Sequence, residues 1–97
     1  MPAYVIVNVT VNDPARYEEY KRLASPTVPA YGGRYVARGG PVEVREGGWS
    51  PARLVVLEFP SVERARSWWE SPEYAPAKAV RQSCADTELV ITEGLPG

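Results

Sequence analysis

Histidine is missing from these 97 residues, and cysteine occurs once, at Cys84. The first absence removes Ser-His and Cys-His nucleophile pairs, histidine-ligated zinc or non-haem iron, and a haem held by a proximal histidine. The second leaves nothing to form a disulfide within the chain, which points to a reducing, cytoplasmic setting. No apolar run approaches the ~18 residues that a membrane span requires, and Met1-Pro2-Ala3-Tyr4 shows no basic leader before it enters a strand. Neither sign of charge dominates: eleven basic and twelve acidic residues are interspersed, for a net charge of −1. That balance leaves no electrostatic footprint for nucleic acid or anionic lipid, so neither is expected as a partner. Carboxylates do not pair at metal-ligand spacing. Gly32-Gly33 and Gly39-Gly40 adjoin strands rather than linking a strand to a helix, so they form no phosphate loop. No cofactor and no metal is expected.

What is present is enough apolar sequence, 44% of the chain, for one domain. A chain of this length buries about 60–65% of its extended surface and folds with little surplus. Ala3 to Val11 alternates Val5, Val7, Val9 and Val11 with Tyr4, Ile6, Asn8 and Thr10, the period of a strand. Asp13-Pro14 then opens a helix, the carboxylate as N-cap and the proline where no donor is needed. Tyr17, Tyr20, Leu23 and Ala24 fall on one side of it, and Pro26 and Pro29 break or kink it before Gly32-Gly33. Arg34 to Arg38 reads as a second strand, expected to resume over Val42 to Arg45 before a hairpin turn at Glu46-Gly47-Gly48. Arg53 to Phe59 is the third strand. Ser61 caps a second long helix whose inward stripe is expected at Val62, Ala65 and Trp69. Ser71-Pro72 stops that helix, a shorter piece kinked at Pro76 follows to about Ser83, and Asp86 to Glu93 closes the chain as a strand. Its Leu89 and Ile91 lie on one face and Val90 on the other.

The order β-α-β-β-α-β with right-handed crossovers gives an α+β, ferredoxin-like sandwich: a four-stranded antiparallel sheet with helices on one face, spanning residues 1–97 as a single domain. Such a sheet leaves its other face bare. Whichever side each strand turns outward, that face includes residues such as Tyr4 and Ile6, or Val55 and Leu57. An apolar patch of this kind marks an interaction surface, and a homodimer with sheet facing sheet is the simplest arrangement that covers it.

Five segments then carry a likeness. Tyr-Gly-Gly-Arg-Tyr at 31–35, Arg-Gly-Gly at 38–40, Glu-Gly-Gly-Trp at 46–49, Leu-Glu-Phe-Pro-Ser at 57–61 and Trp-Trp-Glu-Ser-Pro-Glu-Tyr at 68–74 resemble the domain of unknown function 1330 family. The resemblance spans nearly the whole chain with its motifs in order. It implies the dimeric α+β barrel fold and a dimer, with ligands placed between sheet and helices, and it implies no assigned activity. Wider relatives of that family include cofactor-free monooxygenases of phenolic substrates, small-ring isomerases and haem-binding enzymes; the haem branch does not fit a chain without histidine. Trp69 stands where the resemblance implies a tyrosine, keeping bulk and losing a hydroxyl.

Each candidate for chemistry has a plainer reading beside it. Glu58, between Leu57 and Phe59, is either an outward glutamate paired across the sheet or a partly buried carboxylate able to act as a catalytic base. If internal it needs a cation, and Arg38 or Arg81 would supply one. Arg81 is a surface arginine or an inward one that holds Glu58 or a ligand carboxylate in a bidentate fork; Arg38 poses the same choice. Ser71 caps a helix restart and, without a histidine, is a poor nucleophile. Tyr74 offers a hydroxyl to a pocket. Trp49, Trp68 and Trp69 are core or interface anchors, or ligand platforms. Asn8 suits a hydrogen bond across a dimer, and Cys84 suits a small buried filler. The sharpest expectation places Glu58 and Arg81 together at a cleft bordered by Trp69 and Tyr74. The functions this leaves are binding of a small organic ligand, cofactor-independent oxygenase or isomerase chemistry on a small aromatic or lactone, and a non-catalytic structural dimer.

Overall fold

The computed structural model describes residues 1–96. Strand β1 (Ala3–Val11) places Ala3, Val5, Val7 and Val9 in the core, as its valine alternation requires. Helix α1 (Pro14–Ala24) starts where the Asp13 carboxylate accepts the Arg16 backbone N–H at 3.2 Å. A one-turn helix α2 (Thr27–Ala30) separates it from β2 (Arg34–Arg38), and β3 (Leu54–Phe59) follows the irregular segment 39–53. Helix α3 (Val62–Glu70) is capped by Ser61, whose hydroxyl accepts the Arg64 N–H at 3.1 Å. Helix α4 (Ala75–Cys84) runs directly into β4 (Ala85–Glu93).

The strands lie in the order β2-β3-β1-β4, and each neighbouring pair is antiparallel. This is the ferredoxin-like arrangement. Register puts Val5 opposite Leu57 and Val7 opposite Leu89, so three strands turn the same apolar set toward the helices. Trp68, Tyr74, Phe59 and Val28 complete the core. Trp68 is fixed on one side by Tyr74, with ring centroids 4.2 Å apart, and on the other by Phe59 at 5.4 Å. Gly33 permits this packing: a Cβ there would stand 2.6 Å from the Phe59 ring.

Several sequence expectations shift. The buried line of α3 is Ala65 and Trp68, while Trp69 is half-buried on the flank, because nine residues present a single row to the sheet. Pro76 causes no kink, since α4 begins at Ala75 and a first-turn N–H has no intrahelical partner to lose. Residues 42–45 form no strand, and 46–48 are a bend in an irregular arm that exposes Val42, Val44 and Trp49.

One irregularity matters for the site. Tyr35 pairs with Leu57 and Ala37 with Val56, so Val36 is an extra residue, a β-bulge. It resets the alternation, and Tyr35 and Arg38, three apart in sequence, both lie opposite helix-facing residues, Leu57 and Val55.

Candidate functional site

Between sheet and helices lies a narrow, partly open cleft of about 20 Å³, room for about one water molecule. Its floor is Val7 and Val9 of β1 and Val55 and Leu57 of β3; Tyr35 and Arg38 of β2 close one edge. Helix α1 contributes Tyr17, Tyr20 and Lys21, α3 contributes Trp68, and α4 contributes Arg81; Arg53 enters from just before β3.

The charge of this lining is one-sided. Lys21, Arg38, Arg53 and Arg81 face the cleft, and no carboxylate does. Lys21 is paired with Glu18 one helical turn away. The three arginines form no ion pair among the described residues. Arg38 instead donates to the Ser25 hydroxyl at 2.7 Å and stacks over the Tyr35 ring at 4.1 Å. Arg53 donates to the Tyr17 hydroxyl at 3.2 Å. Gly39, at φ +72, clears the way for Arg53, since a Cβ at that position would lie 2.1 Å from its guanidinium.

Arg81 is the extreme case. It is 4% exposed, and its Nε is buried without a hydrogen-bond partner. Its guanidinium carbon stands 5.9 Å from the Tyr20 ring centroid, a weak substitute for an anion. A buried charge without a counter-ion is costly, so this position favours an incoming anion. Behind it the Tyr20 and Tyr74 hydroxyls meet at 2.9 Å. Burial pushes the Tyr20 phenol far above its ordinary value, reinforced by the adjoining Tyr74. Burial also raises Tyr74, opposed by Arg81. The pair therefore keeps both protons at neutral pH, one shared between the two oxygens and the other free to donate.

The expected approach of Glu58 to Arg81 does not form. Leu57 and Phe59 point to the helices, so period-2 alternation turns Glu58 to the bare face, away from α4. There it bonds Arg34 at 2.6–2.7 Å and accepts the Tyr4 hydroxyl at 3.4 Å. Of the other expected site residues, Arg38 and Arg81 line the cleft and Tyr74 supports it through Tyr20. Trp69 lies outside, with the Lys78 ammonium 3.8 Å above its ring, in a separate groove that also touches Arg81. Trp49 sits by Ile6, Asn8, Glu88 and Val90 on the opposite face of the sheet. Ser71 is occupied: its hydroxyl donates to the Trp68 carbonyl at 2.7 Å and accepts the Tyr74 N–H at 3.1 Å. Asn8 bonds Glu88 within its own sheet at 3.2 Å. Cys84 is buried, which pushes its thiol up and makes it a packing residue.

Tyr17, Tyr20, Lys21, Tyr35 and Arg53 are cleft residues that sequence reasoning missed. The signal available was the tyrosine pair at i and i+3 on α1, which is indistinguishable from an ordinary packing stripe. Among the described residues, no cluster of three metal-ligating side chains occurs and no helix is long and apolar enough to cross a membrane.

Residues 2–95 match the model of a family described as "Domain of unknown function (DUF1330)". No curated protein matches the chain. Among solved structures, a protein of unknown function from Rhodopseudomonas palustris superposes with a TM-score of 0.76 at 20% identity, covering 99% of this chain and 84% of that one. A dimeric ferredoxin-like protein of unknown function from Jannaschia gives 0.72 at 14% identity over 97% and 100% of the two chains. SnoaB, a cofactor-independent oxygenase from Streptomyces nogalater, gives 0.66 at 13% over 99% and 95%. At these identities the likeness is one of fold.

Proposed function

The chain belongs to the domain of unknown function 1330 family, and on that premise we propose that it is a homodimer that binds a small organic anion in the cleft between sheet and helices. The observation that carries this reading is Arg81, a guanidinium buried to 4% exposure that has no carboxylate partner among the described residues. Arg38 and Arg53 add positive charge at the same cleft, and its tyrosines and Trp68 supply flat apolar walls. The dimer rests on the outward face of the sheet, where Tyr4, Ile6, Val56 and Val90 lie without helices above them, and on the dimeric state of the Jannaschia neighbour.

Calorimetric titration with benzoate and with benzamide tests the binding. Benzoate is expected to bind and its neutral isostere to bind at least tenfold more weakly; equal affinity, or no benzoate binding at millimolar concentration, overturns the reading. Catalysis of the cofactor-independent oxygenase kind is the second reading, favoured by the shared fold with SnoaB. Oxygen uptake by the protein with small phenols present tests it.

A further inference from the structure

The geometry points to a binding groove outside the cleft: a carboxylate with a flat apolar body docks along the outer edge of β4, its charged end on Arg81 and its ring against Trp69 and Leu89. This rests on the reading of Arg81 as the anchor of an organic anion and adds where the body of that anion lies.

Room decides between the two sides of Arg81. The cleft offers about 20 Å³, enough for one water or one carboxylate oxygen. On the other side a groove of about 400 Å³ runs between Trp69 of α3, Arg81 and Gln82 of α4, and Thr87 and Leu89 of β4. That size falls within the range of ~300–1,000 Å³ usual for small-molecule sites. The groove exists because β4 is the end strand of the sheet and pairs with β1 alone. Helices α3 and α4 cover its inner face only in part, which leaves Thr87, Leu89 and Ile91 half-buried.

Two atoms of this lining lack what their burial demands. Among the described residues, the buried side-chain nitrogens and oxygens without a hydrogen-bond partner are Asn8 Oδ1, Arg81 Nε and Thr87 Oγ1. The last two residues both line the groove. An unpaired polar atom is costly to bury, and two of them at one place mark a position for a group supplied from outside. A carboxylate answers both, since it accepts from the guanidinium and from the threonine hydroxyl. Water or a neutral ligand would leave the Arg81 charge unbalanced.

The surrounding charges agree. The Lys78 ammonium donates to the Trp69 carbonyl at 3.1 Å and stands 3.8 Å above the indole, adding a second cation beside the groove. Asp86, the acidic residue of the lining, is engaged by Asn12 at 3.4 Å and forms no ion pair with Arg81. The guanidinium is therefore left for a ligand, and Trp69 and Leu89 supply the apolar contact for its body.

Benzoate is the probe, followed by titration calorimetry and by proton NMR. Its affinity should fall about tenfold in Trp69→Ala, which removes the indole wall. It should fall about fivefold in Thr87→Val, which keeps the volume and removes the hydroxyl. Nuclear Overhauser contacts should join the benzoate ring protons to Trp69 and Leu89. Should Trp69→Ala fail to fold, Thr87→Val and the NMR contacts decide. Benzoate that binds more tightly than benzamide, yet keeps its affinity in either variant or shows ring contacts to Val7 and Val55, overturns the groove and leaves the anion reading standing. Benzoate that does not bind, or binds no better than benzamide, overturns both.

Discussion

The Tyr20 and Tyr74 hydroxyls, 54 residues apart in sequence, share a 2.9 Å hydrogen bond at the back of the cleft, joining α1 to the start of α4. Both phenols hold their protons more tightly in the folded protein than at their ordinary value of 10.0. Their contribution to stability is therefore complete below about pH 10 and is lost as pH rises, because the unfolded chain ionises first. Each such group adds a slope of up to about 1.4 kcal/mol per pH unit above that point. Urea midpoints measured from pH 8 to 11.5 should fall steeply at the alkaline end, and Tyr20→Phe with Tyr74→Phe should flatten the fall. An unchanged slope in the double variant would place the alkaline sensitivity elsewhere.

Thr27 provides a second buried polar link. Its hydroxyl accepts from the Trp68 indole N–H at 3.0 Å and donates to the Ala24 carbonyl at 2.6 Å. Thr27→Val keeps the shape and strands a buried indole donor, which should cost about 1–3 kcal/mol. Thr27→Ser, which retains the oxygen, should cost clearly less. A larger loss in Thr27→Ser than in Thr27→Val in chemical denaturation would show that the methyl packing, and not the hydrogen bond, holds Trp68.

How much of this was legible in the chain depends on which physical signal each feature leaves. The valine alternation of β1, the Asp13-Pro14 and Ser61 helix starts and the element order dictated sheet, helices and topology, because periodicity and capping are local. Glu58 was readable in principle: counting from the buried Leu57 turns it outward. The oddness of a carboxylate in an apolar run drew attention to the wrong face. The cleft was not readable. Tyr35 and Arg38 share a side only because Val36 bulges, and nothing local in Arg34 to Arg38 marks a bulge. Tyr17 and Arg53 meet across 36 residues, a distance that no period spans. Of the expected site residues, Arg81 and Arg38 belong to the cleft, and their role stayed open because an arginine's burial is decided by its neighbours.

Gly39 sets the place of Arg53. With φ +72 and a would-be Cβ 2.1 Å from the guanidinium, Gly39→Ala should both strain the backbone, by about 1–2 kcal/mol, and push Arg53 aside. Benzoate affinity should fall several-fold by titration calorimetry. Combining it with Arg53→Gln should add little further loss of affinity, since both changes act on the same cation. Additive losses would mean that Gly39 affects the cleft by another route.

The proposed dimer rests on the bare face of the sheet. Val90 is 56% exposed beside Ile6, with Trp49 next to both, a patch that two copies would cover by burying at least about 1,200 Å² in total. Sedimentation should show a dimer at micromolar concentration. Val90→Lys with Ile6→Glu would set desolvated charges against the opposing sheet and should yield a monomer with unchanged secondary structure. A wild-type monomer, or a dimer that survives both substitutions, removes this face from the interface.

Arg81 separates stability from binding. Had it been held by Glu58, its removal would have cost about 3–5 kcal/mol by leaving a buried charge unpaired. Glu58 is instead committed to Arg34 on the other face, with 72% of the Arg34 side chain exposed, a pair worth about 0–1 kcal/mol. Arg81 therefore has no partner to abandon, and Arg81→Met removes a desolvated cation while refilling its volume with a flexible apolar chain. The unfolding free energy should stay level or rise, and benzoate affinity should drop at least tenfold. Glu58→Gln should move neither quantity appreciably. That combination, a gain or no change in urea midpoint with loss of binding, is the mark of a residue kept for its ligand rather than its fold. A variant that loses several kcal/mol of stability would instead make Arg81 a structural residue and leave the cleft without its principal charge.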